Sequence, residues 1–530
     1  MTDRDEGWWR EAVIYQIYPR SFQDTDGDGV GDLPGIRQRL AHVAELGADA
    51  VWISPIYPSP MADFGYDVAD YTGIDPLFGT LDDFDAVLAE AHGLGLKMLL
   101  DFVPNHSSDR HPWFTESRSS RENSKRDWYI WRDPAPDGGV PNNWQSSSGG
   151  PAWAWDEATG QYYLHKFLPE QPDLNWRNPL VREAMLGAMR FWFERGVDGF
   201  RIDVLYHCIK DAAFRDDPEN PDYDPETQPP FDAVIPVHST DQPEIMPLVV
   251  EPMRRLAEEM GHRLLVGEIY LPYERLVAYY GDNGSGVHLP FNFALISTTW
   301  KAAPLAALIR EYESHLPPGG WPNWVLGNHD QSRIATRIGP ERAKLAAVLL
   351  LAALRGTPTL YYGDELGTED VAIPPDRVRD PWERNMPGLG EGRDPCRTPM
   401  RWDIAPNAGF CAEGVEPWLP VGAHGAEDTV AGQAGCDGSM LELHRALLRL
   451  RRAHPALSRG RYERVEAHGS VLVTVRVEGD ERVAVAMNLG GETAAAEVGT
   501  VAEVLLATHE VELDGPVRLP AGAAAVLRLG

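Results

Sequence analysis

The chain is 530 residues long, which exceeds one ordinary domain and indicates two or three. It has 48 basic and 80 acidic residues, a net charge of −32, so its surface repels phosphate backbones and anionic bilayers, and we expect no nucleic-acid or membrane partner. The start of the chain has neither the basic nor the apolar part of a secretion signal, and the longest strongly apolar run, residues 345–354, is too short to span a bilayer. We therefore expect a cytoplasmic protein with reduced cysteines, either a monomer or a small homo-oligomer.

An aspartate-rich loop follows the first predicted strand. The stretch "DTDGDGVGD" at residues 24–32 places oxygen ligands at alternate positions, as in the first half of an EF-hand calcium loop. The glutamate that closes an EF-hand is missing, because Gly35 occupies its position. The loop predicts a hard cation, Ca²⁺ or Mg²⁺, or else Asp-Gly turns without an ion. No organic cofactor is expected, and the candidate metal ligands are Asp24, Asp26, Asp28, Val30 and Asp32.

Short apolar strands alternate with amphipathic helices along most of the chain. Such alternation predicts a parallel sheet, and eight strands predict a closed (β/α)8 TIM barrel, with an open doubly wound sheet as the alternative. Predicted helices include residues 36–46, 81–94, 180–196, 341–355 and 440–452. The predicted strands are residues 12–19, 48–57, 96–103, 197–205, 263–269, 288–296, 323–330 and 357–366.

Two segments interrupt this rhythm and predict further domains. Residues 106–176 are rich in Ser, Asn, Pro and Trp and form a small domain inserted after the third strand. The tail has strands without intervening helices, which indicates an antiparallel β-sandwich. The predicted domains are a barrel at 1–105 and 177–455, the insertion at 106–176 and the sandwich at 456–530. A long Pro- and Asp-rich loop at 216–243 follows the fourth strand.

Polar side chains follow four of the predicted barrel strands at the end where barrel enzymes have their active sites. Alternation within "GFRIDV" places Arg201 and Asp203 on one face of the fourth strand. A charged pair inside a barrel is costly unless it is well paired or functional. Any one of these groups alone fits a structural salt bridge or a turn. Together they predict an active site at this rim, formed by His106, Arg201, Asp203, Glu268, His329 and Asp330.

Several carboxylates without another nucleophile fit cleavage of a glycosidic bond, which uses two carboxyl groups. We expect the neighbouring Arg201 to lower the pKa of Asp203, as a nucleophile requires. Glu268 lies in an apolar strand without a cation nearby in sequence, so we expect a raised pKa, as an acid requires. A two-metal hydrolase is the rival interpretation, but the histidines near these strands lack metal-ligand spacing.

The motifs "DFVPNH", "GFRIDV", "GEI", "GNHD", "QPDLNW" and "GTPTLYYGDE" resemble, in this order, the α-amylase family, glycoside hydrolase family 13. "QPDLNW" and "RTPM" resemble its α-glucosidase and oligo-1,6-glucosidase branch. In this branch the aspartate loop carries a structural calcium or magnesium ion.

The resemblance implies a role for each matching residue. Asp203 would be the nucleophile, Glu268 the acid/base and Asp330 the third carboxylate of the catalytic set. Arg397 would pair with Asp63 and close the pocket, which makes the enzyme exo-acting. The remaining residues implied to bind glucose or line its pocket are Tyr66, His106, Phe167, Gln171, Arg201 and His329.

The resemblance implies a retaining exo-acting α-glucosidase for maltose, isomaltose, sucrose or small oligosaccharides, with possible transglucosylation. The alternative is a glucosyl-transferring isomerase, such as a sucrose isomerase or trehalose synthase. Transporter heavy subunits resemble the family too, but they have a membrane span and lack an intact catalytic set. Val204 follows the nucleophile, and valine at this position goes with α-1,6 cleavage in the branch. The 216–243 loop departs from the branch pattern, and we expect it to shape the aglycone side.

Overall fold

A closed barrel of eight short parallel strands forms the centre of the computed structural model, which describes residues 7–530. The first strand pairs with both the second and the last, at Ile14↔Ala50 and Ile14↔Thr359, and this pairing closes the barrel. The barrel strands are β1 (Ile14–Ile17), β2 (Ala50–Ile53), β3 (Lys97–Phe102), β7 (Gly199–Ile202), β8 (Leu264–Gly267), β9 (Leu289–Asn292), β10 (Asn323–Val325) and β11 (Thr357–Tyr361). Between β3 and β7 the inserted region contributes β4 (Trp131–Arg132), β5 (Trp153–Asp156) and β6 (Gln161–Leu164). The predicted fold class is confirmed.

Helices surround the barrel, and their ends follow from capping residues in the sequence. The Asp32 side chain accepts from Gly35 N at 2.6 Å, and Gly47 ends the same helix with φ 106°. The α-helices are α1 (Leu33–Leu46), α2 (Leu81–Gly93), α3 (Pro112–Ser119), α4 (Pro179–Arg195), α5 (Glu251–Glu259), α6 (Tyr273–Leu276), α7 (Ala294–Ser297), α8 (Ala302–His315), α9 (Ile334–Ile338), α10 (Ala343–Val348), α11 (Pro381–Asn385), α12 (Val430–Gln433), α13 (Met440–Ala453) and α14 (Pro455–Ser458).

Each barrel strand buries both faces, because alternate side chains point to different cores. Trp52 and Phe291 belong to the apolar cluster inside the barrel. Val51 and Ile53 belong to the larger cluster between the strands and the helices. In the described part of the chain no helix is both long and apolar enough to cross a membrane.

Several predicted elements differ from the structure, and two of them show the physical reason. The predicted strand at 288–296 is the shorter β9 followed by α7, because the chain turns at the rim just beyond Asn292. The predicted helix at 341–355 is α10 continued by a π-helical turn, Leu349–Ala353. An apolar sequence pattern does not distinguish these helix types here, because nearly every residue of both is buried and the apolar run shows no period.

The inserted region has its own small sheet. Strands β4, β6 and β5 pair antiparallel in that order. Helix α3 precedes these strands in the sequence. Trp144 and Trp153 form part of a local apolar cluster. The domain boundaries proposed from the sequence stay a prediction, and the first six residues of the proposed barrel segment lie outside the described part of the chain.

The C-terminal region is antiparallel, as expected. Its strands are β12 (Arg461–His468), β13 (Val471–Glu478), β14 (Glu481–Asn488), β15 (Ala494–Ala496), β16 (Val501–Ala507), β17 (Val517–Leu519) and β18 (Ala524–Leu529). A five-stranded sheet has the order β12-β13-β14-β18-β16, and a two-stranded sheet pairs β15 with β17. Valine, alanine and leucine side chains from both sheets share one apolar cluster, as in a sandwich. The buried Arg476 ties this region to the barrel by donating to Leu354 O at 2.9 Å.

The long loop at 216–243 packs against the inserted region. Asn143 N donates to Asp216 Oδ1 at 2.9 Å, and Asp217 N donates to Asn143 Oδ1 at 2.8 Å. Just before the loop, the ring of Phe214 stacks on Trp144 with centroids 5.5 Å apart. The loop therefore supports the inserted region, and the catalytic cavity described below takes its lining from other parts of the described chain.

Candidate active site

A cavity of about 700 Å³ opens at the rim where the barrel strands end. Asp203 follows β7 directly and Glu268 follows β8 directly, while Asp330 lies in the loop after β10. All three carboxylates line this cavity, as the strand ends predicted. Of the residues expected to bind substrate, it is also lined by Asp63, Tyr66, His106, Phe167, Gln171 and Val204.

One buried guanidinium lies between three carboxylates at the floor of the cavity. Arg201 Nη1 is 2.8 Å from Asp203 Oδ1 and 2.7 Å from Asp101 Oδ1. Its Nη2 is 2.7 Å from Glu268 Oε2. Asp101 also accepts from the Trp52 indole and the Tyr66 hydroxyl, each at 3.0 Å. Arg201 thus fixes the orientation of both proposed catalytic carboxylates.

The charges of this cluster correct one expectation. Burial raises the pKa of Asp203 well above its ordinary value, and Glu268 and Asp101 add to this, although Arg201 opposes them. The predicted lowering of that pKa is therefore wrong, because sequence proximity showed Arg201 but not the other carboxylates that share it. Burial also raises the pKa of Glu268, as expected, against the opposing charge of Arg201. Three buried carboxylates around one cation favour retention of a proton within the group.

Asp330 lies in a different environment. Arg397 Nη2 is 2.8 Å and Arg393 Nη1 3.3 Å from its Oδ1. Burial works against ionisation, but His329 and the two arginines outweigh it and lower the pKa of Asp330. Burial also lowers the pKa of His329, so its ring is neutral at pH 7 and the arginines supply the positive charge. Asp330 is therefore ionised.

The ion pair that closes the pocket uses a different arginine from the expected one. Arg393 Nη2 is 2.7 Å from Asp63 Oδ1, and the same nitrogen is 2.7 Å from Asp380 Oδ1. Arg397 instead pairs with Asp330 and donates to His329 O at 2.6 Å. The predicted Arg397–Asp63 pair is thus wrong. Three residues lie between the two arginines, and both reach the same rim, so the motif alone did not show which one faces Asp63.

Neutral polar groups line the wall between Asp63 and the inserted region. Gln171 Nε2 lies 3.3 Å from Asp63 Oδ2 and 3.1 Å from His106 Nε2. Burial lowers the pKa of His106 to about 4, so the imidazole is uncharged at pH 7. Phe167 packs on His106 with ring centroids 5.2 Å apart, and Tyr66 stacks on His329 at 5.3 Å. The structure therefore brings these predicted binding residues together.

Val204 has a strained backbone beside the catalytic pair. Its φ of 34° lies in the left-handed region, which β-branched residues rarely adopt. In this conformation its N–H donates to Glu268 Oε2 at 2.9 Å. The strained residue thus orients Glu268 while its side chain lines the cavity.

Comparison with known proteins decides the family. The family model for the α-amylase catalytic domain matches residues 16–460, and a domain family of unknown function matches residues 458–526. A probable α-glucosidase of Rhizobium meliloti (strain 1021) is 43% identical over 100% of this chain and 98% of its own length. An oligo-1,6-glucosidase of Heyndrickxia coagulans is 37% identical over 92% of this chain and 93% of its own. The chain belongs to the α-amylase family.

Solved structures of family members have the same fold as this α-amylase family glycoside hydrolase. The α-glucosyl transfer enzyme XgtA is 40% identical, with a TM-score of 0.93 and 99% of both chains covered. The trehalulose synthase MutB, as a single-site mutant in complex with Tris, is 32% identical, with a TM-score of 0.89, 98% of this chain and 100% of its own covered. The α-glucosidase branch inferred from the motifs is supported by the curated relatives.

Several residues of this family member's cavity were missed by the sequence reasoning. The ion pair of Arg393 and Asp380 can be recognised only in the folded chain, because both residues lie in irregular loops without a periodic sequence pattern. Asp101 lies within the motif "DFVPNH", which did not indicate a role for it. Aromatic and imidazole groups that also line the cavity, with no motif to single them out, are Tyr206, His207, Tyr270 and Trp382.

The aspartate loop brings three of its five candidate ligands together. Carboxylate oxygens of Asp24, Asp26 and Asp28 lie within 4.8 Å of one another, a donor set that fits a hard cation. Asp32 is engaged elsewhere, because its carboxylate caps α1 and accepts from Thr25 N at 2.7 Å. The contribution of the Val30 carbonyl stays a prediction.

Proposed function

We propose that this enzyme is a retaining, exo-acting α-glucosidase that hydrolyses short α-glucosides. The observation that carries the proposal is the pair of cavity carboxylates, Asp203 and Glu268, joined by one buried guanidinium. In the first step an Asp203 oxygen bonds to the anomeric carbon, while Glu268 gives its proton to the glycosidic oxygen and the alcohol leaves. In the second step Glu268 takes a proton from water, and the water oxygen displaces Asp203 to release glucose.

The pKa values of both carboxylates are raised, so the two share a proton, and the proposed roles place that proton on Glu268. Arg201 stabilises the carboxylate that attacks, and the raised pKa of Glu268 keeps a proton available for the leaving oxygen. Asp330 stays ionised beside Arg397 and would hold sugar hydroxyls while it favours positive charge at the anomeric carbon. A single glucose would lie between these groups, with Tyr66 and His106 at its sides.

The proposed exo action rests on the Asp63–Arg393 pair. Together with the ion pairs that Asp330 makes with Arg393 and Arg397, this pair joins the loop after β2 to the loops after β10 and β11. The sugar site would therefore have one closed end. A glucosyl unit at the end of a chain fits such a site, and an internal unit does not. The substrates would then be maltose, isomaltose, sucrose or small oligosaccharides. The enzyme would be a cytoplasmic monomer or small homo-oligomer.

Glucosyl transfer is the second candidate, favoured by similarity to XgtA and MutB over nearly the whole chain. The same first step would occur, but a sugar hydroxyl would replace water in the second. Chromatography of the products distinguishes the two: hydrolysis gives glucose and fructose in equal amounts from sucrose and only glucose from maltose, whereas transfer gives rearranged or longer saccharides.

We also propose that Asp24, Asp26 and Asp28 hold a structural Ca²⁺ or Mg²⁺. The loop contacts the chain that follows Arg397, since Asp24 N donates to Phe410 O and Trp418 N to Gly29 O, each at 2.9 Å. An ion there would neutralise three clustered carboxylates and brace this segment, without chemistry at the sugar.

The experiment that tests the proposal assigns each carboxylate by the stereochemistry of azide rescue. With Asp203→Gly and an aryl α-glucoside, azide enters from the opposite side and should give β-glucosyl azide. With Glu268→Ala, the glucosyl-enzyme still forms and azide should give the α-glucosyl azide. The reverse pattern would exchange the two roles, and absence of both products with a folded protein would contradict the proposal.

A further inference from the structure

Gln16 places a polar side chain inside the apolar barrel. It is the third residue of β1, fully buried, and shares a strand face with Ile14, which belongs to the apolar cluster inside the barrel. Its Nε2 lies 2.8 Å from His329 Nδ1 and 3.2 Å from Ser54 Oγ. Within the described part of the chain its Oε1 has no hydrogen-bond partner. A buried amide with an unpaired oxygen costs stability that an apolar side chain would not, so stability does not explain this glutamine.

The imidazole ring of His329 is held in one plane by two tyrosines. Tyr66 stacks on it with ring centroids 5.3 Å apart and an interplanar angle of 2°, and Tyr18 stacks on it at 5.6 Å and 20°. Burial lowers the pKa of His329 well below its ordinary value, so the ring carries a single proton at pH 7. Stacking fixes the plane of the ring but not the nitrogen that holds this proton.

The neighbours of the two ring nitrogens decide where the proton lies. Nε2 is 3.3 Å from Oδ2 of Asp330, which is ionised and can only accept a hydrogen bond. Nδ1 faces the amide nitrogen of Gln16, which can only donate. A proton on Nε2 suits both neighbours, because Nδ1 then accepts from the amide and Nε2 turns its proton toward the carboxylate. A proton on Nδ1 would instead place donor against donor and a lone pair against Asp330.

We propose that Gln16 is a positioning residue that holds His329 in its Nε2-protonated form and, through it, holds Asp330 in place. The inference rests on the proposed function, in which Asp330 favours positive charge at the anomeric carbon. Arg397 and Arg393 reach Oδ1 of Asp330, whereas His329 reaches Oδ2. If the ring turned a lone pair toward Oδ2, Asp330 would rotate away from the sugar or take up a proton.

The position of the ring proton can be measured without turnover, by ¹⁵N NMR of the protein labelled at its histidine nitrogens. His329 is identified as the signal that is lost in His329→Asn, and the couplings to the ring C–H protons distinguish Nδ1 from Nε2. We expect a protonated Nε2 and an unprotonated Nδ1. In Gln16→Met, which keeps the side-chain length and removes the donor, the Nδ1 resonance should move downfield. A proton on Nδ1 in the unsubstituted protein, or an Nδ1 resonance that Gln16→Met leaves unmoved, would overturn the proposal.

Kinetics measure the effect of this hydrogen bond on Asp330. Gln16→Met should lower kcat on an aryl α-glucoside by about 10- to 100-fold, with a smaller change in KM, because Asp330 acts mainly on charge that develops in the transition state. The matched control is Asn323→Leu, which removes another buried amide of the barrel, one that donates to Thr357 O and Thr359 Oγ1. It should lower the melting temperature and leave kcat unchanged.

A folded Gln16→Met protein with unchanged kcat and a melting temperature lowered as in Asn323→Leu would make Gln16 purely structural. Failure of the proposed function would look different. The unsubstituted enzyme would then release no glucose from α-glucosides, while the His329 resonances would still show the proton on Nε2.

Discussion

Arg201 determines the chemistry of individual residues in this site. Its two terminal nitrogens contact Asp101, Asp203 and Glu268, all of them buried. Each carboxylate resists ionisation because the others share the same cation. A site of this kind keeps one proton for an acid while a neighbouring carboxylate attacks.

The pH dependence follows from the raised pKa of Glu268. The acid must be protonated and Asp203 ionised, so kcat/KM should fall as pH rises through the pKa of Glu268 and should fall on the acid side where Asp203 gains a proton. Glu268→Gln should lower kcat/KM on disaccharides by about 10²–10⁴ and remove the alkaline fall. The measurement is a pH profile of both proteins on maltose and isomaltose. An alkaline fall that persists in Glu268→Gln would assign the acid to another group.

Linkage preference is expected to depend on the Val204 side chain. Threonine has the shape of valine but carries a hydroxyl, which can hydrogen-bond an acceptor joined through its secondary O4, whereas the apolar valine favours one joined through the flexible O6. Val204→Thr should shift the ratio of kcat/KM toward maltose over isomaltose by about tenfold or more, since one such contact is worth about 1–3 kcal/mol. Kinetics on both disaccharides measure the ratio.

The matched control for Val204 is Val237→Thr. Val237 is exposed in the 216–243 loop, which packs on the inserted region and not on the cavity. A shift with Val237→Thr but none with Val204→Thr would show that the loop sets linkage preference.

Short turns, rather than the regular elements, position several binding groups. The turn that carries Asp63 has two non-glycine residues in the left-handed region, Met61 with φ 65° and Phe64 with φ 51°. The buried Asp67 accepts from Ala62 N at 2.9 Å and from Asp63 N at 3.0 Å. Both of its oxygens therefore hold a strained turn in place.

Asp67→Asn should weaken substrate binding at the neighbouring Asp63. An amide has only one acceptor oxygen, so one backbone N–H loses its partner, at a cost of about 1–3 kcal/mol. We expect KM for isomaltose to rise by about 5- to 100-fold, with a smaller change in kcat. Steady-state kinetics with the control Asp70→Asn, an exposed position in the same loop, measure this. A lowered melting temperature with unchanged KM would make Asp67 purely structural.

The aspartate loop should respond to chelation. An ion that binds only the folded chain stabilises it, so a chelator should lower the melting temperature, and added Ca²⁺ or Mg²⁺ should restore it. Below the melting transition kcat should stay unchanged, because the ion takes no part in the chemistry. Asp26→Ala with Asp28→Ala should abolish the chelator response. Lost activity without a change in melting would make the ion catalytic.

At the scale of the whole molecule, the sequence predicted the barrel and much of its active rim. Parallel strands buried on both faces leave clear apolar runs, and Asp203 and Glu268 follow such runs directly. Arg393 could not be predicted, because its partner Asp63 is 330 residues away and both lie in irregular loops. The pKa of Asp203 depends on Asp101 and Glu268 from two other strands, which only the closed barrel brings to one guanidinium.

The anomeric form of the first glucose released tests the central claim most directly. Two successive displacements at one carbon, first by Asp203 and then by water, restore the original configuration. Proton NMR of the cleavage of an aryl α-glucoside, whose departing group is not a glucose, by the unsubstituted enzyme, recorded before mutarotation, should therefore show α-glucose first. Initial β-glucose would mean a single displacement by water and would contradict the account.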